Sequence, residues 1–326
     1  MLATISSETM QLLKACMLVL TACGAFIVGI NMMSKGFVRL ASKENSLFYR
    51  MFRTKNRVGG MLSGFLHSAL TQSSDATSVF VIRLSDVGSI TLFQACCAII
   101  GANIGTTVTN FIVSMSEFNV APYFAFCAFL GAFPLLIGKG GFKTFGEIVS
   151  GFGIMFIGIQ LLELNSQNPA FTNALSQLID MCKNPLIILL VGFGITAIVQ
   201  SSSVVTSLVI FLIGVTTLSM EGAFYLVVGA NVGTCVTSFI ASAKSSINAK
   251  RSSLFHVMFN VLGAIIFIVL MHYLSAQIMG FWNSWNIPPK FKVSFFSLMF
   301  NFGTAIVVLI FARPLVALTR FLIRSR

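Results

Sequence analysis

The sequence is poor in charge: only 9% of its residues are Asp, Glu, Lys or Arg, whereas 56% are hydrophobic and the mean hydropathy is +0.92. Such a composition excludes a soluble globular domain. Apolar runs of roughly 20 residues, the length that crosses a bilayer as a helix, recur from end to end. The sequence therefore predicts an all-α polytopic membrane protein.

Two kinds of chemical machinery are also missing. The seven cysteines form neither a disulfide framework nor a metal-ligand spacing, and all but Cys182 fall in apolar runs, so we interpret them as small packing residues. No nucleophile, base and acid stand together in a pattern typical of catalysis, so we do not expect an enzyme.

Nine apolar segments can be delimited, and two of them, 57–83 and 185–214, carry polar clusters near the middle. Lipid satisfies neither backbone nor side-chain polar groups, so we interpret these two segments as re-entrant helical hairpins that enter and leave the membrane on the same side. The other seven are predicted to cross it fully, at about 12–34, 90–114, 120–138, 144–163, 221–243, 252–275 and 292–313.

The basic residues support this topology. With the N-terminus outside, 17 of the 21 lysines and arginines lie on the inner side, leaving only Lys14, Lys183, Lys290 and Lys292 outside. The positive-inside rule predicts such a bias, and it would be lost if one hairpin alone crossed the membrane. The net charge of +12 is therefore interpreted as a topology signal, with contact to anionic membrane lipid, and not as a nucleic-acid site.

The sequence matches itself without a gap when Gly101 is laid over Gly229, and we call this shift the repeat offset. "GANIGTTVTNFI" (101–112) then aligns with "GANVGTCVTSFI" (229–240) at nine of twelve positions, and "TQSSDATS" (71–78) aligns with "VQSSSVVT" (199–206). With the shift lengthened by one position, "CGAFIVGINMM" (23–33) aligns with "FGIMFIGIQLL" (152–162). The chain thus contains two copies of one unit.

If its hairpin is re-entrant, each unit crosses the membrane three times. Because three is an odd number, the second copy starts on the opposite side of the membrane and is predicted to be inverted relative to the first. Inverted repeats with interrupted helices are typical of secondary transporters, whose site lies near mid-membrane between the repeats. The alternative is a duplicated packing motif without a ligand. The predicted organisation is a first repeat at 1–138, a second at 139–275, and an additional span with a basic cytoplasmic tail at 276–326.

Gln–Ser–Ser at the turn of each hairpin offers hydroxyl and amide groups without charge. The N-terminus of the second half-helix favours an anion, whereas carbonyl and side-chain oxygens suit a hard cation such as sodium. The paired glycines allow close approach of a ligand or of the facing hairpin, and Asn103 and Asn231 would bridge or brace the site. Because no basic residue lies in the middle of a span, a bound anion needs co-bound cations, which is a physical reason for coupling.

These paired QSS and GAN-[IV]-G-T motifs resemble the type II sodium-dependent phosphate cotransporter family in its compact bacterial form. The resemblance implies sodium-coupled uptake of inorganic phosphate by alternating access in the bacterial inner membrane, with Na+ as coupling ion and no organic cofactor. The phosphate site is then expected to include Ser73, Ser74, Ser201, Ser202, Asn103 and Asn231. The sodium sites are expected to include Gln72, Asp75, Thr106, Gln200, Ser203, Thr206 and Thr234.

Two residues depart from the family pattern. Asp75 stands where the family usually has a serine, and Cys235 replaces the second threonine of GAN-x-G-T-T. A carboxylate at this depth is costly unless it is offset. Asp75 either caps the second half-helix, faces water at the hairpin tip or helps to hold a cation. We favour the cation, which a proton could partly replace at low pH.

Alternative functions remain open from the sequence. One is a sodium- or proton-coupled transporter of another small oxyanion or carboxylate, and another is a non-transporting membrane scaffold or phosphate sensor. A homo-oligomer or a cytoplasmic phosphate-regulatory protein is a further candidate partner. We interpret His67 and His256 as buried histidines bonded to neighbouring backbone, the alternative being a proton relay. We interpret Asn260 and Asn301 as sources of helix–helix hydrogen bonds, the alternative being a ligand role.

Overall fold

A computed structural model describes residues 7–41, 51–54, 56–165, 168–180, 182 and 184–324. The regular structure in these ranges is helical throughout. The helices are α1 (Ser7–Ala41), α2 (Arg57–Thr71), α3 (Ser74–Asp86), α4 (Leu92–Gly105), α5 (Thr107–Ser114), α6 (Ala121–Ile137), α7 (Gly140–Asn165), α8 (Pro169–Asp180), α9 (Pro185–Val199), α10 (Ser202–Val215), α11 (Met220–Gly233), α12 (Cys235–Ser242), α13 (Ile247–Ser284), α14 (Pro289–Ile310) and α15 (Ala312–Leu322), with a short 3₁₀ helix at Met115–Phe118.

Six helical segments in the described ranges are long and apolar enough to cross a membrane. The predicted span 120–138 corresponds to α6, which is apolar but has 17 residues, fewer than the roughly 20 that span a bilayer without tilt or thinning. The chain is a multi-pass helical membrane protein, and its seventh full crossing stays a prediction. The six segments are Leu13–Leu40, Leu92–Phe118, Gly140–Leu164, Met220–Ser242, Ile247–Ser284 and Pro289–Ile310.

Large apolar side chains cover the outside of the molecule. Tyr123 and Leu136 on α6 are 78% and 80% exposed, and Ile198 on α9 is 84% exposed. Water would penalise so much exposed apolar surface, whereas lipid tails do not. The outer faces of these helices are therefore suited to contact with lipid.

Helices α1 and α6 both pack along α7, and these three form an outer layer. Glycines set their spacing: a Cβ on Gly29 would lie 2.2 Å from the backbone nitrogen of Met155, and one on Gly153 would lie 2.0 Å from that of Ala128. Small residues let helix backbones approach closely, which is how helices associate in lipid. This layer is a glycine-packed scaffold.

The remaining helices form an inner group around the polar segments. We call α2–α5 the first unit and α9–α12 the second unit. Helix α13 packs on α3 and α12, whereas α14 packs on α10 and α5. The repeat offset aligns α3 with α10 and α5 with α12. Helix α13 therefore contacts α3 and α12 in the same way as α14 contacts the equivalent helices α10 and α5.

Three helices differ from the sequence expectations. Helix α8 lies between the predicted segments 144–163 and 185–214, where the sequence predicted no helix, and α15 lies in the predicted basic tail. Helix α13 extends beyond the predicted span 252–275 to Ser284, with a kink at Leu274. Hydropathy windows miss short amphipathic helices such as α15, whose Val316 and Thr319 are buried while its other face is exposed.

Candidate functional site

Both Gln–Ser–Ser sequences interrupt a helix with nearly the same backbone geometry. Helix α2 ends at Thr71 and Gln72 follows at φ 54° and ψ 28°, while α9 ends at Val199 and Gln200 follows at φ 58° and ψ 33°. A left-handed conformation is uncommon for a residue other than glycine, and here it ends one helix and redirects the chain into the next. The two turns predicted from the sequence are present.

The serine after each glutamine caps the helix that follows. The hydroxyl of Ser73 accepts from the backbone N–H of Ala76 at 3.0 Å, and that of Ser201 accepts from Val204 at 3.5 Å. Serine is a favoured N-cap because its oxygen satisfies one of the unpaired N–H groups of the first turn. Each cap leaves the serine proton available to donate, beside a helix end that favours negative charge.

The GAN segments lie in α4 and α11, and a single threonine separates each of these helices from the next, α5 or α12. We call α4–α5 and α11–α12 the two broken helices. The glycines of the GAN segments hold each broken helix against its neighbour. A Cβ on Gly101 would lie 1.7 Å from the carbonyl oxygen of Met61, and one on Gly229 would lie 2.0 Å from that of Leu189. The sequence left open whether these glycines admit a ligand or the facing hairpin. The described contacts are with the facing helix, α2 in the first unit and α9 in the second.

Asn103 and Asn231 bond within their own helices. Asn103 Nδ2 donates to the carbonyl of Ile99, and Asn231 Nδ2 donates to that of Val227, both at 2.9 Å. The threonine hydroxyls one turn later repeat this symmetry, because Thr106 donates to the carbonyl of Asn103 at 2.8 Å and Thr234 to that of Asn231 at 2.6 Å. Each hydroxyl that donates in this way keeps its oxygen lone pairs available as acceptors.

The two units interlock. Helix α3, which follows the first Gln–Ser–Ser, packs on α12 of the second unit, and α10, which follows the second, packs on α5 of the first. Each polar turn therefore leads into a helix that lies against the broken helix of the other copy. This arrangement brings polar residues of both units to a common interface.

Four of the thirteen buried polar side-chain atoms that lack a hydrogen-bond partner in the described part of the chain form two matched pairs. The repeat offset relates Ser68 Oγ in the first unit to Thr196 Oγ1 in the second, and Thr109 Oγ1 to Thr237 Oγ1. The first pair lies beside GAN glycines: Cβ atoms on Gly105 and Gly233 would lie 2.7 and 2.6 Å from the Cβ atoms of Ser68 and Thr196. A buried hydroxyl without a partner costs about 1–3 kcal/mol, so its recurrence in both copies indicates a functional reason.

A model of the Na+/Pi-cotransporter family matches this sequence twice, at residues 25–164 and 165–323. The two matches cover most of the chain. The chain belongs to the Na+/Pi-cotransporter family. This is a family of transporters and not of enzymes, and membership makes the chain a phosphate transporter.

Individual relatives either have low sequence identity to this chain or match only a short stretch of it. It is 27% identical to the uncharacterized protein YqeW of Bacillus subtilis over 87% of this chain and 90% of YqeW. It is 22% identical to the putative inorganic phosphate export protein YjbB of Escherichia coli over 94% of this chain, which spans about half (55%) of YjbB. An 82-residue stretch, 24% of this chain and 12% of the relative, is 45% identical to human sodium-dependent phosphate transport protein 2B. No solved structure matches the chain.

The residues that the family resemblance assigned to ligands are mostly buried. Gln200 is the exposed one, although its counterpart Gln72 is buried with its Oε1 unpartnered in the described part of the chain. Ser73 and Ser201 are partly exposed at the turns. The buried ones are Gln72, Ser74, Asp75, Asn103, Thr106, Ser202, Ser203, Thr206, Asn231 and Thr234.

Asp75 lies in the first turn of α3, where a carboxylate suits the helix N-terminus. The backbone cap of that helix is Ser73, so capping is already provided by another residue. Asp75 Oδ1 is buried without a hydrogen-bond partner among the described residues. The capping interpretation of Asp75 therefore leaves its Oδ1 atom without an assigned partner.

The two buried histidines each bond to a side-chain hydroxyl through Nδ1. His67 Nδ1 lies 2.9 Å from Thr77 Oγ1, and His256 Nδ1 lies 2.6 Å from Ser238 Oγ. Asn301 donates to the carbonyl of Ser297 in its own helix at 2.9 Å, and not to a neighbouring helix. Of the predicted helix–helix bonds, only a weak one is present among the described residues, from Asn260 Nδ2 to the Cys235 thiol at 3.5 Å.

Sequence reasoning missed the paired hydroxyls of Ser68, Thr196, Thr109 and Thr237. None belongs to the Gln–Ser–Ser or GAN motifs, and a single serine or threonine in an apolar helix carries little information. The repeat offset that relates them was a usable signal, since a hydroxyl at both members of an aligned pair is more informative than one alone.

Proposed function

We propose that this phosphate transporter couples phosphate movement to sodium, that it works by alternating access, and that its physiological direction is uptake. The observation that carries the proposal is the pair of capped Gln–Ser–Ser turns, each leading into a helix that packs on the broken helix of the other unit. Two such turns, together with paired buried hydroxyls that lack a hydrogen-bond partner among the described residues, are the features expected of a site between repeats.

Phosphate is proposed to bind between the N-termini of α3 and α10. The hydroxyls of Ser73 and Ser201 already accept from their own helices, so their protons can donate to phosphate oxygens. The buried hydroxyls of Ser74 and Ser202 lie one residue further along, and Asn103 and Asn231 complete the proposed set. Helix N-termini bind anions without a basic side chain, which fits spans that lack lysine and arginine at their centres.

Sodium is proposed to bind where side-chain oxygens remain free to accept. Gln72 Oε1 and Asp75 Oδ1 are unpartnered within the described ranges, and oxygen ligands suit a hard cation. Thr106 and Thr234 donate to carbonyls one turn back, so their lone pairs are available. In the second unit, the further proposed sodium ligands are Gln200, Ser203 and Thr206. Sodium bound beside phosphate would balance its charge, and this mutual dependence would couple the two ions.

Both hairpins are proposed to be re-entrant and the two repeats inverted. The repeat offset, the similar cap geometries and the tandem family matches support two copies of one unit. The bias of basic residues toward one side supports re-entrance and, with it, inversion. The matches divide the chain at 164/165, whereas the proposed repeats are 1–138 and 139–275 with an additional 276–326. The protein is proposed to lie in the bacterial inner membrane with its N-terminus outside and its C-terminus cytoplasmic.

Radiolabelled phosphate uptake into proteoliposomes tests the proposal. We expect uptake with an inward sodium gradient and little with an equal potassium gradient. Ser73→Ala combined with Ser201→Ala should abolish uptake, whereas Ser150→Ala, a buried serine in the outer layer, should not. Equal uptake in potassium would contradict sodium coupling, and activity in the double variant would contradict the site.

The direction of transport needs a separate measurement, because one relative is named as a putative phosphate exporter. Cells that express the chain should accumulate phosphate faster at low external phosphate, and net loss would favour export. Competition by sulfate, arsenate and short carboxylates separates phosphate from another oxyanion or carboxylate. Normal growth of the double-serine variant on limiting phosphate would favour a scaffold or sensor.

A further inference from the structure

The ammonium group of Lys290, at the start of α14, lies among oxygen atoms of two other segments. Its Nζ donates to Glu163 Oε1 on α7 at 2.9 Å and to Ser116 Oγ in the 3₁₀ helix at 3.2 Å, and it lies 3.6 Å from Glu117 Oε2. The side chain of Lys290 is only 12% exposed, so salt and water screen these contacts weakly. We call Lys290, Glu163, Ser116 and Glu117 the lysine cluster.

The lysine cluster crosses the boundary between the outer layer and the inner group. Helix α7, with Glu163, packs along α1 and α6, whereas α14, with Lys290, packs on α5 and α10. The ion pair between Arg39 and Glu147 stays within the outer layer, since it joins α1 to α7. Among the described residues, the pair of Lys290 with Glu163 is therefore the ion pair that ties the two layers together.

The second carboxylate of the cluster lies on the side of the inner group. Ser114 Oγ, at the end of α5, donates to the carbonyl oxygen of Lys290 at 2.9 Å and so fastens α14 to the segment that carries Glu117. If α7 moves away, Lys290 loses Glu163 but keeps Glu117. An ammonium group left unpaired in a partly buried place is costly, and this arrangement avoids that cost.

A small cavity, with room for about one water molecule, borders the lysine cluster. Lys290, Glu163 and Ser116 line it together with Ser207 on α10, and the rest of its lining is apolar side chains of α1, α5, α7 and α10. Ser207 Oγ donates to the carbonyl oxygen of Ser203 at 2.7 Å. The cavity therefore connects the cluster with the helical turn that carries a proposed sodium ligand.

The equivalent place in the first unit has a different contact. The repeat offset aligns Gly214, near the end of α10, with Asp86, at the end of α3. A Cβ on Gly214 would lie 3.3 Å from Lys290 Cε, so the lysine lies over the C-terminal end of α10, which favours a positive charge. Asp86 instead accepts from the backbone N–H of Ser246, just before α13. One end is held by an ion-pair cluster and the other by a hydrogen bond.

We propose that the lysine cluster is the outer gate of the transport pathway, in which Lys290 and Glu163 are paired while the outer side is closed and separate when α7 and the inner group move apart. The inference rests on the proposed function, because alternating access requires the pathway to close on one side at a time, and on the proposed topology, which puts Lys290 outside. It adds the residues that close this side and the helices that part.

Labelling of a thiol in the cavity tests the gate. Ser207→Cys introduces the thiol, and a membrane-impermeant maleimide added to intact cells reaches it only when the outer side is open. Mass spectrometry measures labelling at this position alone. Combined with Ser207→Cys, Glu163→Gln and Lys290→Met should each raise the labelling rate about three- to tenfold, because a partly buried ion pair is lost. Unchanged labelling in both variants would overturn the proposal.

Two neighbouring charges provide matched controls. Glu117→Gln removes the carboxylate on the side of the inner group, and Lys292→Met removes a positive charge on α14 that forms no ion pair with a described residue. Neither should raise labelling more than about twofold. Equal increases in these controls and in Glu163→Gln would mean a general effect of charge and would overturn the gate.

Further measurements separate a gate from a loss of stability. The double variant Glu163→Gln with Lys290→Met should be labelled no faster than the faster single variant, because both changes break the same pair. In detergent, the fully buried Cys96 should stay unlabelled in every variant. Labelling of Cys96 as fast as that of the introduced thiol would assign the effect to unfolding and overturn the proposal.

Labelling is measured without transport, so the gate and the proposed function can fail separately. Unchanged labelling of the gate variants, in a chain that takes up phosphate with sodium, contradicts only the gate. Faster labelling of these variants, in a chain without sodium-driven uptake, contradicts only the proposed function. Faster labelling in inverted vesicles but not in intact cells would overturn the outer position of the gate.

Discussion

The two Gln–Ser–Ser turns have almost the same backbone but different surroundings. Their glutamines have φ angles of 54° and 58° and ψ angles of 28° and 33°, yet Gln72 is buried and Gln200 is exposed. The next helix begins with Ser–Asp in the first unit and Ser–Ser in the second. The local motif therefore fixes the turn, whereas the residue that follows it and the helices packed around it fix its chemistry.

The largest effect is expected at Gly101 and Gly229, through which α4 and α11 make equivalent close contacts with α2 and α9. Gly101→Ala and Gly229→Ala each force a Cβ to within 1.7 and 2.0 Å of a carbonyl oxygen. We expect a loss of about 1–3 kcal/mol or more in each case, because the backbones must separate. Thermal unfolding in detergent measures it.

A matched control lies on α9, where a Cβ on Gly194 would meet no atom within 4 Å. Gly194→Ala should be neutral or stabilising by up to about 1 kcal/mol, since alanine favours a helix. If Gly194→Ala lowered the melting temperature as much as Gly229→Ala, close packing would not explain the GAN glycines.

Single cap substitutions test whether the two turns contribute equally. Ser73→Ala and Ser201→Ala should each destabilise the protein by about 0.5–2 kcal/mol through loss of an N-cap. Each should also weaken phosphate uptake by at least about tenfold, equivalent to one lost hydrogen bond of about 1.4 kcal/mol. Initial rates against phosphate concentration measure this loss, and a strongly unequal pair would argue against a shared phosphate site.

The glutamines should separate the two turns. Gln72→Ala removes a buried amide whose Nε2 donates to the carbonyl of Ala69 and whose Oε1 is a proposed sodium ligand. We expect a several-fold rise in the sodium concentration needed for half-maximal uptake. Gln200→Ala should change this concentration less, because its side chain is exposed. Equal effects would mean that the exposed glutamine becomes a ligand in another conformation.

The smallest effect is expected at the end of α3. Asp86 Oδ1 accepts from the backbone N–H of Ser246 at 2.6 Å, and this bond with Ser246 lowers the pKa of Asp86 below its usual range. A carboxyl whose pKa is lowered by folding stabilises the protein at neutral pH, and that contribution is lost as pH falls through the lowered pKa. Melting temperatures of wild type and Asp86→Asn should therefore differ slightly at pH 7 and converge in acid; no convergence would argue against this bond.

Local sequence was sufficient for the features that depend on a few neighbouring residues. Gln–Ser–Ser predicted both helix interruptions because a serine cap and a left-handed residue are short-range features. The apolar runs predicted six of the spans that the structure contains. Helices α8 and α15 were not predicted, since short amphipathic helices do not form the long apolar runs on which the sequence prediction relied.

The sequence by itself determined the membrane class, the two copies and the polar turns, because hydropathy, internal self-similarity and capping are properties of the chain alone. Only the tertiary structure packed α13 on α3 and α12 and, in the equivalent way, α14 on α10 and α5. It thereby brought α3, which carries Asp75, against α12 and α13, which carry Cys235 and Asn260. Asp75 lies in the first predicted repeat and Asn260 in the second, with most of the chain between them. Such contacts depend on how whole helices pack, and no short-range pattern encodes them.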